Sequence, residues 1–522
     1  CLVYIPRERF ETRLRLRLQK TLERELGGIC SNYKVSQDDS PLSRVLFEID
    51  INGLDKVPHY KNEDLELALI KAGQDWADQL RSTIEDKITN HEEAANLIHK
   101  YGQAFPLSYH EHYSPVQAVL DIEKINSIIG GDEINLELYE QKEDNQKVIR
   151  LKLYHADTPL ALSDVLPIME NMGLHVITEL PSEIKPAHYK NTIWIHDFLL
   201  EPASKNKDIN VPASKTSFED VFKKTWNKEM ESDTLNMLAF YAQMPWQDIA
   251  ILRAYIHYLR QTGLSFSLPY MEGAITAYPQ IAKSLVTLFK DLFDPAKKKM
   301  SDKKKEERVQ SIHHSLDVVD ALDHDRIFRS LIGLICATLR TNFFQLDDKG
   351  NQKTYLSFKL NSSLIPELPQ PKPYREIFVY SARVEGVHLR ADKIARGGLR
   401  WSDRHEDFRT EVLGLMKAQQ VKNAIIIPMG AKGGFVVKHP PTEGGRQAYL
   451  AEGIECYKTF IRGLLDITDN RKGTDIINPP NVVRYDEDDP YLVVAADKRT
   501  ASFSNIANNL SLEYGFWLDD AF

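Results

Sequence analysis

The sequence has few cysteines, no long apolar run and no excess of basic residues, and each shortage excludes a class of protein. Its four cysteines are far apart and form no C-x-x-C pair, which excludes a disulfide framework and a zinc knuckle. No stretch approaches the roughly 20 apolar residues of a membrane span. The formal net charge of −9 argues against a dedicated nucleic-acid or membrane-surface binder.

Dinucleotide and metal sites also lack their usual signatures. No G-x-G-x-x-G follows a strand anywhere in the sequence. His110 and His112 have no partner pair at ligand spacing, so no metal is predicted. The basic run at residues 297–308 has acids interleaved, which is more typical of a solvated helix than of a nucleic-acid contact.

Both ends of the sequence look internal to a longer polypeptide. There is no initiator Met, and the chain opens in a strand-like segment without the cleavage site of a signal peptide. It stops directly after the strongly patterned residues SNIANNLSLEYGFWL, where a natural domain usually has a polar tail or a cap. We therefore expect a fragment of a longer, cytoplasmic protein with several domains, since 522 residues exceed one ordinary core.

The first 205 residues contain the same small α/β unit twice. Alternating strands and amphipathic helices predict a first unit with strands at Leu2–Ile5 and Arg44–Ile51 around a helix at Glu11–Leu26. Helical periodicity follows from Asn62 to about Ile128. The second unit is predicted from the strands Ile134–Tyr139 and Val148–Tyr154, the helix Leu162–Met172 with Ser163 as its N-cap, and the strands HVITEL and TIWIHDF. This repetition predicts two ferredoxin-like modules.

The second half begins with helices and ends with a mixed region. Residues Ser217–Phe344 have helical periodicity, and alternation predicts a strand at Tyr355–Leu360 and a strand-turn-strand over IFVYSARVEGVHLR. The end of the sequence predicts a helix at Ala448–Leu465, a strand at Tyr491–Asp497 and a helix at Ser504–Tyr514.

Residues 395–438 have the composition of an active site rather than of a core. Two glycine pairs, Gly397–Gly398 and Gly433–Gly434, lie beside cations, and glycine allows close approach of backbone to a ligand. Between the pairs we predict a helix with Leu413 and Met416 buried, then an apolar strand at Ile425–Ile427 and a glycine turn that holds Lys432. The flanking cations are Arg396, Arg400, Lys417, Lys422 and Lys432, and they predict a small ligand with several negative charges.

Two of these residue types suit acid–base chemistry. A lysine in a partly desolvated turn near other cations has a lowered pKa and can act as a base, which is the role open to Lys432. Asp497 follows an apolar strand, at the end where α/β sheets place ligand-binding groups. Each residue alone also fits an ordinary structural role, as a surface turn or a helix N-cap, and their joint presence favours the functional interpretation.

The motifs ARGGLRWSDR, LMKAQQVKNAIIIPMGAKGGFV and VVAADKRTASFSNIAN resemble the substrate-binding domain of amino-acid dehydrogenases. The best match is to the large, NAD-specific bacterial glutamate dehydrogenases, in which ACT-like modules and helical motifs precede the catalytic domain. The resemblance implies a multidomain α+β and α/β fold with an incomplete substrate-binding domain. Its expected regions are ACT-like modules at 1–56 and 131–205, helical motifs at 57–130 and 206–350, and the substrate-binding part at 351–522.

The resemblance also assigns roles to the candidate residues. Lys432 matches the catalytic lysine that activates water, and Asp497 matches the aspartate that exchanges protons with the substrate amino group. Lys422 matches the lysine that binds the α-carboxylate, with Gln419 three residues before it. Arg396 replaces a lysine that binds the side-chain carboxylate in smaller enzymes, so that Arg396 or Arg400 is the expected clamp beside Gly397 and Gly398. The turn PMGAKGG is one glycine shorter than in the family.

The implied activity is NAD-dependent oxidative deamination of L-glutamate to 2-oxoglutarate and ammonia by a homo-oligomer. The resemblance places the NAD-binding domain beyond Phe522, so we expect the fragment itself to be inactive. The alternative is a non-catalytic regulatory or oligomerisation module that binds an anionic effector at the glycine–lysine motifs.

Overall fold

The structure is a computed structural model, and it describes most of the chain. The described residues are 1–37, 40–51, 60–143, 146–204, 209–422, 429–495 and 500–518, without the side chains of residues 143, 146, 396, 420–422 and 501. They divide into two compact units, one of residues 1–136, 152–160 and 179–197, the other of residues 137–151, 161–178 and 198–522. In the described part, no helix is both long and apolar enough to cross a membrane.

The first half of the chain contains two small sheets and a group of helices. Their bounds are β1 Leu2–Pro6, α1 Thr12–Leu26, β2 Ile29–Ser36, β3 Leu42–Asp50, α2 Asn62–Gly73, α3 Trp76–Lys87, α4 His91–Tyr101, α5 Leu107–His112, α6 Pro115–Ile129, β4 Ile134–Glu143, β5 Gln146–Ala156, α7 Leu162–Asn171, β6 Leu174–Ile184 and β7 Ile193–Pro202.

The strands predicted at Leu2–Ile5 and Arg44–Ile51 and the helix predicted at Glu11–Leu26 are present as β1, β3 and α1, and β2 completes a three-stranded sheet. Its antiparallel strands have the order β1-β3-β2, and the apolar face of α1 covers it through Leu14, Leu18 and Leu22. Helix α1 ends at Gly27, whose φ of 66° is the left-handed conformation that favours glycine at a helix C-terminus. The second sheet has the order β4-β5-β7-β6. The predicted N-cap at Ser163 is wrong, because helix α7 begins after Ala161 without a side-chain cap.

The second half contains a helical region and then the largest sheet. The bounds are α8 Val211–Trp226, α9 Leu238–Tyr241, α10 Trp246–Arg260, α11 Leu268–Ala277, α12 Pro279–Phe293, α13 Asp302–Ser315, α14 Leu322–Ala337, β8 Thr338–Thr341, β9 Tyr355–Leu360, β10 Arg375–Ser381, β11 Val384–Arg390, β12 Arg396–Trp401, α15 Phe408–Lys422, β13 Gly430–Val437, α16 Gly445–Leu465, β14 Asn470–Lys472, β15 Asp475–Ile477 and α17 Ser504–Glu513.

The large sheet is mixed and has the order β12-β13-β11-β10-β9-β8. Strands β8 to β11 and β13 pair antiparallel, whereas β12 pairs parallel with β13 and is joined to it by helix α15. One face is covered by α16 and α17, whose Phe460, Leu464 and Leu510 belong to the same core as Phe435 and Val437 of β13. Helix α15 covers the other face of β13, so this strand is buried on both sides.

Candidate functional site

The two glycine–cation motifs, 36 residues apart in sequence, lie on adjacent parallel strands. In the β12–β13 register, Arg396 lies beside Gly430, Gly398 beside Lys432, and Arg400 beside Gly434. The structure therefore brings together the backbones of both motifs at one edge of the large sheet.

The predicted glycine turn around Lys432 is wrong, because Gly430–Val437 is a β-strand. None of its glycines has a positive φ. They are needed for close packing instead. A Cβ added to Gly430 would lie 2.5 Å from the carbonyl oxygen of Met416, and one added to Gly434 would lie 2.6 Å from Val412, both on helix α15.

The first glycine motif has the same explanation. Gly397 lies inside strand β12, where an added Cβ would lie 1.2 Å from the carbonyl oxygen of Ala431 on β13. A side chain at this position would overlap the backbone of the neighbouring strand. The glycines thus allow two strands and a helix to approach closely at the candidate site.

Lys432 lies in the middle of β13, half-buried, with Leu389 and Gly398 as its neighbours across the two ladders. Side chains alternate along a strand. Since Gly430 and Gly434 face helix α15, Lys432 is on the same face. Its side chain therefore lies on the same side of the sheet as helix α15, which carries the predicted carboxylate-binding residues.

Helix α15 carries those residues at its C-terminal end. The predicted burial of Leu413 and Met416 is confirmed, with 4% and 1% exposure. Gln419 lies over the start of β13, since a Cβ added to Gly430 would lie 3.0 Å from its Cβ. Lys422 is the last residue of the helix, but its side chain is outside the described part of the structure, as is that of Arg396.

Arg400 is engaged within the protein. Its Nη1 lies 3.0 Å from Oε1 of Glu411 on α15, and the hydroxyl of Ser402 donates to the other carboxylate oxygen of Glu411 at 2.6 Å. This ion pair partly neutralises Arg400 and ties β12 to the helix. Arg400, one of the two residues expected to bind the side-chain carboxylate, therefore already pairs with a carboxylate of the protein itself.

Asp497 lies outside the described residues, as do the predicted strand residues Ile425–Ile427. The described residues on either side of Asp497 both bond to the same residue of β12. The amide of Leu399 donates to the carbonyl oxygen of Ala495 at 2.8 Å, and the hydroxyl of Thr500 donates to the carbonyl oxygen of Leu399 at 2.8 Å. Leu399 itself lies beside Gly433.

The segment that precedes Asp497 is held by side chains rather than by a neighbouring strand. The strand prediction for Tyr491–Asp497 is wrong over its described part, because Tyr491–Ala495 belongs to no strand. Instead, Arg390 Nη1 donates to the carbonyl oxygen of Tyr491 at 2.8 Å, and His388 Nε2 lies 2.7 Å from that of Val493.

A buried ionic network fixes the start of this segment. The carboxylate of Asp489 accepts from Lys359 Nζ at 2.8 Å and pairs with Arg390, while its amide donates to Asp469 at 2.7 Å. Burial alone would raise the pKa of the Asp489 carboxyl, but the charges of Lys359 and Arg390 outweigh burial and hold its pKa well below the usual range. Burial has the larger effect on Lys359, whose pKa is lowered despite its acidic neighbours.

A second buried ion pair anchors the N-terminal end of helix α15. Arg409 binds Glu376 of strand β10 through two hydrogen bonds, of 2.9 Å from Nε and 2.6 Å from Nη2, and both side chains are at most 1% exposed. The hydroxyl of Tyr258 on α10 donates to the same carboxylate at 3.0 Å. The helix that carries Gln419 and Lys422 is thus fixed to the centre of the sheet.

Sequence reasoning missed His388, Arg390, Asp489 and Thr500. A signal existed for two of them, because His388 and Arg390 place polar side chains on the same face of a strand whose every residue is buried. The partners of these side chains are about 100 residues away, so no local pattern identifies them. Among the described residues, no group of three or more His, Cys, Asp or Glu could hold a metal ion, and the four cysteines are free thiols.

Five family models match the chain, and all of them describe glutamate dehydrogenases. The model of the bacterial NAD-glutamate dehydrogenase catalytic domain matches residues 311–522. The ACT2 and ACT3 domains of glutamate dehydrogenase match residues 1–77 and 133–212. Helical motifs 2 and 3 match residues 89–128 and 230–295.

Similar proteins match the chain over its whole length. The NAD-specific glutamate dehydrogenases of Pseudomonas aeruginosa and Halomonas elongata are each 46% identical to it, and that of Mycobacterium tuberculosis is 40% identical. Each alignment covers 100% of this chain and 32% to 33% of the relative. The chain therefore spans about a third of the length of the relatives that it matches.

Proposed function

We propose that the chain belongs to the family of bacterial NAD-specific glutamate dehydrogenases and supplies the glutamate-binding side of their active site. In the whole protein, this site would oxidatively deaminate L-glutamate to 2-oxoglutarate and ammonia. The observation that supports the proposal is the convergence of three motifs, with Gly398 beside Lys432 and both flanks of Asp497 bonded to Leu399.

Lys432 is the proposed base. It lies half-buried in a strand, on the face that helix α15 covers, where its amine can take a proton from the water that attacks the iminium carbon. Asp497 is proposed to exchange protons with the substrate amino group. The bonds of Ala495 and Thr500 to β12 support this role, because they hold its neighbours one strand away from Lys432.

Lys422 and Arg396 are the proposed clamps for the two carboxylates of glutamate, with Gln419 beside the first and Gly397 and Gly398 beside the second. Two separate cations suit a dicarboxylate better than a monocarboxylate. The ion pair of Arg400 with Glu411 supports Arg396 as the clamp for the side-chain carboxylate.

NAD is the proposed hydride acceptor. The sequence has no G-x-G-x-x-G turn, and the described strands and helices contain no such phosphate-binding turn, so we propose that residues outside this chain hold the cofactor. The chain alone would then bind substrate without turning it over. Homo-oligomeric assembly, a cytoplasmic location and the division at residues 56, 130, 205 and 350 belong to the same proposal.

A substrate panel tests the proposed activity. The whole protein is assayed for NAD reduction with L-glutamate, L-aspartate, L-leucine and L-alanine, and the 522-residue chain is assayed in parallel. We expect kcat/KM for glutamate to exceed that for each other amino acid by about a hundredfold or more, because a cationic clamp left without its carboxylate is costly. A preference for a monocarboxylic amino acid, or robust turnover by the chain alone, would contradict the proposal.

A further inference from the structure

The segment Tyr491–Ala495 is bonded to the sheet at every second residue. The carbonyl oxygens of Tyr491, Val493 and Ala495 lie 2.8, 2.7 and 2.8 Å from their partners, which are Arg390 Nη1, His388 Nε2 and the amide of Leu399. Alternate carbonyls of an extended chain point to the same side. Two of the three donors are therefore side chains that take the place of a strand partner.

His388 is the central donor of the three, and it is closely packed. It is 3% exposed and lies opposite Gly433 in the β11–β13 ladder. A Cβ added to Gly433 would lie 3.2 Å from His388 Cδ2 and 2.3 Å from Leu399 Cδ2. The glycine that follows Lys432 therefore leaves space for the side chain of Leu399 and lets the imidazole pack against the strand.

The protonation state of His388 follows from its partner. A carbonyl oxygen only accepts hydrogen bonds, so Nε2 carries the proton and donates it to Val493. Burial, with a smaller effect from the charge of Arg390, lowers the pKa of His388 to about 4 and outweighs the opposing effects of the bond to Val493 and of Asp489, so the ring is neutral at physiological pH. A neutral ring with its proton on Nε2 is a fixed donor rather than an acid or a base.

His388 does not lie on the reacting face of the sheet. It shares its face with Gly433, whereas Lys432 is on the opposite face of the same strand, towards helix α15. The imidazole can therefore influence the reaction only through the segment that it binds, which continues two residues beyond Ala495 to Asp497.

We propose that His388 is a positioning residue for the deamination. Its hydrogen bond holds Val493, so that the segment meets strand β12 in the register that the proposed role of Asp497 requires. The inference rests on the proposed function of Lys432 and Asp497. A displaced proton-transfer group slows the chemical step more than it weakens substrate binding. His388 should therefore control kcat and leave the KM for glutamate almost unchanged.

The test compares two variants of the whole protein, His388→Leu and His388→Gln. Leucine removes the donor, whereas the glutamine amide places a donor where Nε2 was. We expect His388→Leu to lower kcat for glutamate oxidation by roughly 10- to 100-fold, with KM changed by less than about threefold. His388→Gln should recover kcat to within about threefold of wild type, and both variants should bind 2-oxoglutarate as wild type does.

The outcomes separate the two claims. Wild-type protein without glutamate-dependent NAD reduction would overturn the proposed function, and this inference with it. Active wild-type protein with an unchanged kcat in His388→Leu would overturn the positioning role alone, as would an equal loss in both variants. If His388→Leu does not fold, His388→Met is the second variant without a donor and carries the same expectation. Failure of both to fold would show a purely structural role and overturn the proposal.

Discussion

Leu399 donates its amide hydrogen to the carbonyl oxygen of Ala495 at 2.8 Å, across 96 residues of sequence. The same residue lies between the glycine pair of β12 and Arg400, and it is beside Gly433 in the parallel ladder. One backbone bond thus joins the three motifs that carry the resemblance to glutamate dehydrogenases. It also fixes the described residues nearest to Asp497 against the strand next to Lys432, which is the geometric basis of the proposed site.

The close approach of β12 and β13 predicts that Gly397→Ala is strongly destabilising. Its Cβ would overlap the carbonyl oxygen of Ala431, a backbone atom that cannot move aside without separating the strands. We expect the free energy of unfolding to fall by roughly 3 kcal/mol or more, measured by urea denaturation of the 522-residue chain.

Gly414→Ala is the matched control for this substitution. Gly414 is an exposed residue of helix α15 with no atom within 4 Å of an added Cβ. Alanine should leave the stability unchanged or raise it by up to about 1 kcal/mol. Equal stability of the two variants would show that the glycine pair of β12 is not required for packing.

The buried pair of Arg409 and Glu376 predicts a non-additive double-mutant cycle. Arg409→Met leaves the Glu376 carboxylate buried without its counter-charge, which should lower the free energy of unfolding by roughly 3–5 kcal/mol. Replacing both residues, with Glu376→Gln as the second change, removes the uncompensated charge. We expect the double variant to recover most of the loss in urea denaturation, whereas simple additivity would contradict the account of the helix anchor.

The neutral state of His388 predicts a dependence of stability on pH. Its pKa is about 4 in the folded protein, below the ordinary value of 6.5. As pH falls, the unfolded chain therefore takes up a proton first. The contribution of His388 to the free energy of unfolding is complete above about pH 6.5. It is lost between about pH 6.5 and 4, by roughly 3 kcal/mol in total.

The measurement is the difference in free energy of unfolding between wild type and His388→Gln across this range. Acidic groups elsewhere titrate equally in both proteins and cancel in the difference. A difference that stays constant from pH 7 to 4.5 would show that His388 is not held neutral by burial.

Several strands and helices of this fold can be predicted from the local pattern of apolar and polar residues. Alternation identifies β9, β10 and β11, and helical periodicity identifies α1, α15, α16 and α17, because each buries one apolar face or stripe that the sequence displays. The two strand-and-helix modules are matched by the ACT2 and ACT3 family models.

The two errors at the candidate site have one physical cause, which is that local pattern does not show the distant residues that contact a segment. Glycines around Lys432 predict a turn, but they are there because helix α15 and the side chains of Leu399 and His388 need the space. The apolar residues from Tyr491 to Ala495 predict a strand. Tyr491 and Val493 bond instead to side chains about 100 residues away, and sequence spacing carries no trace of these contacts.

The most direct test of the account is the loss of catalysis on removal of the Lys432 amine. In the whole protein, kcat for NAD reduction with saturating L-glutamate is measured for Lys432→Ala and for Lys458→Ala, a lysine on helix α16 that pairs only with Glu455 among the described contacts. The account predicts a loss on the order of 1,000-fold for Lys432→Ala in a protein that still folds, and wild-type activity for Lys458→Ala. A Lys432→Ala protein that keeps kcat within tenfold of wild type would contradict it.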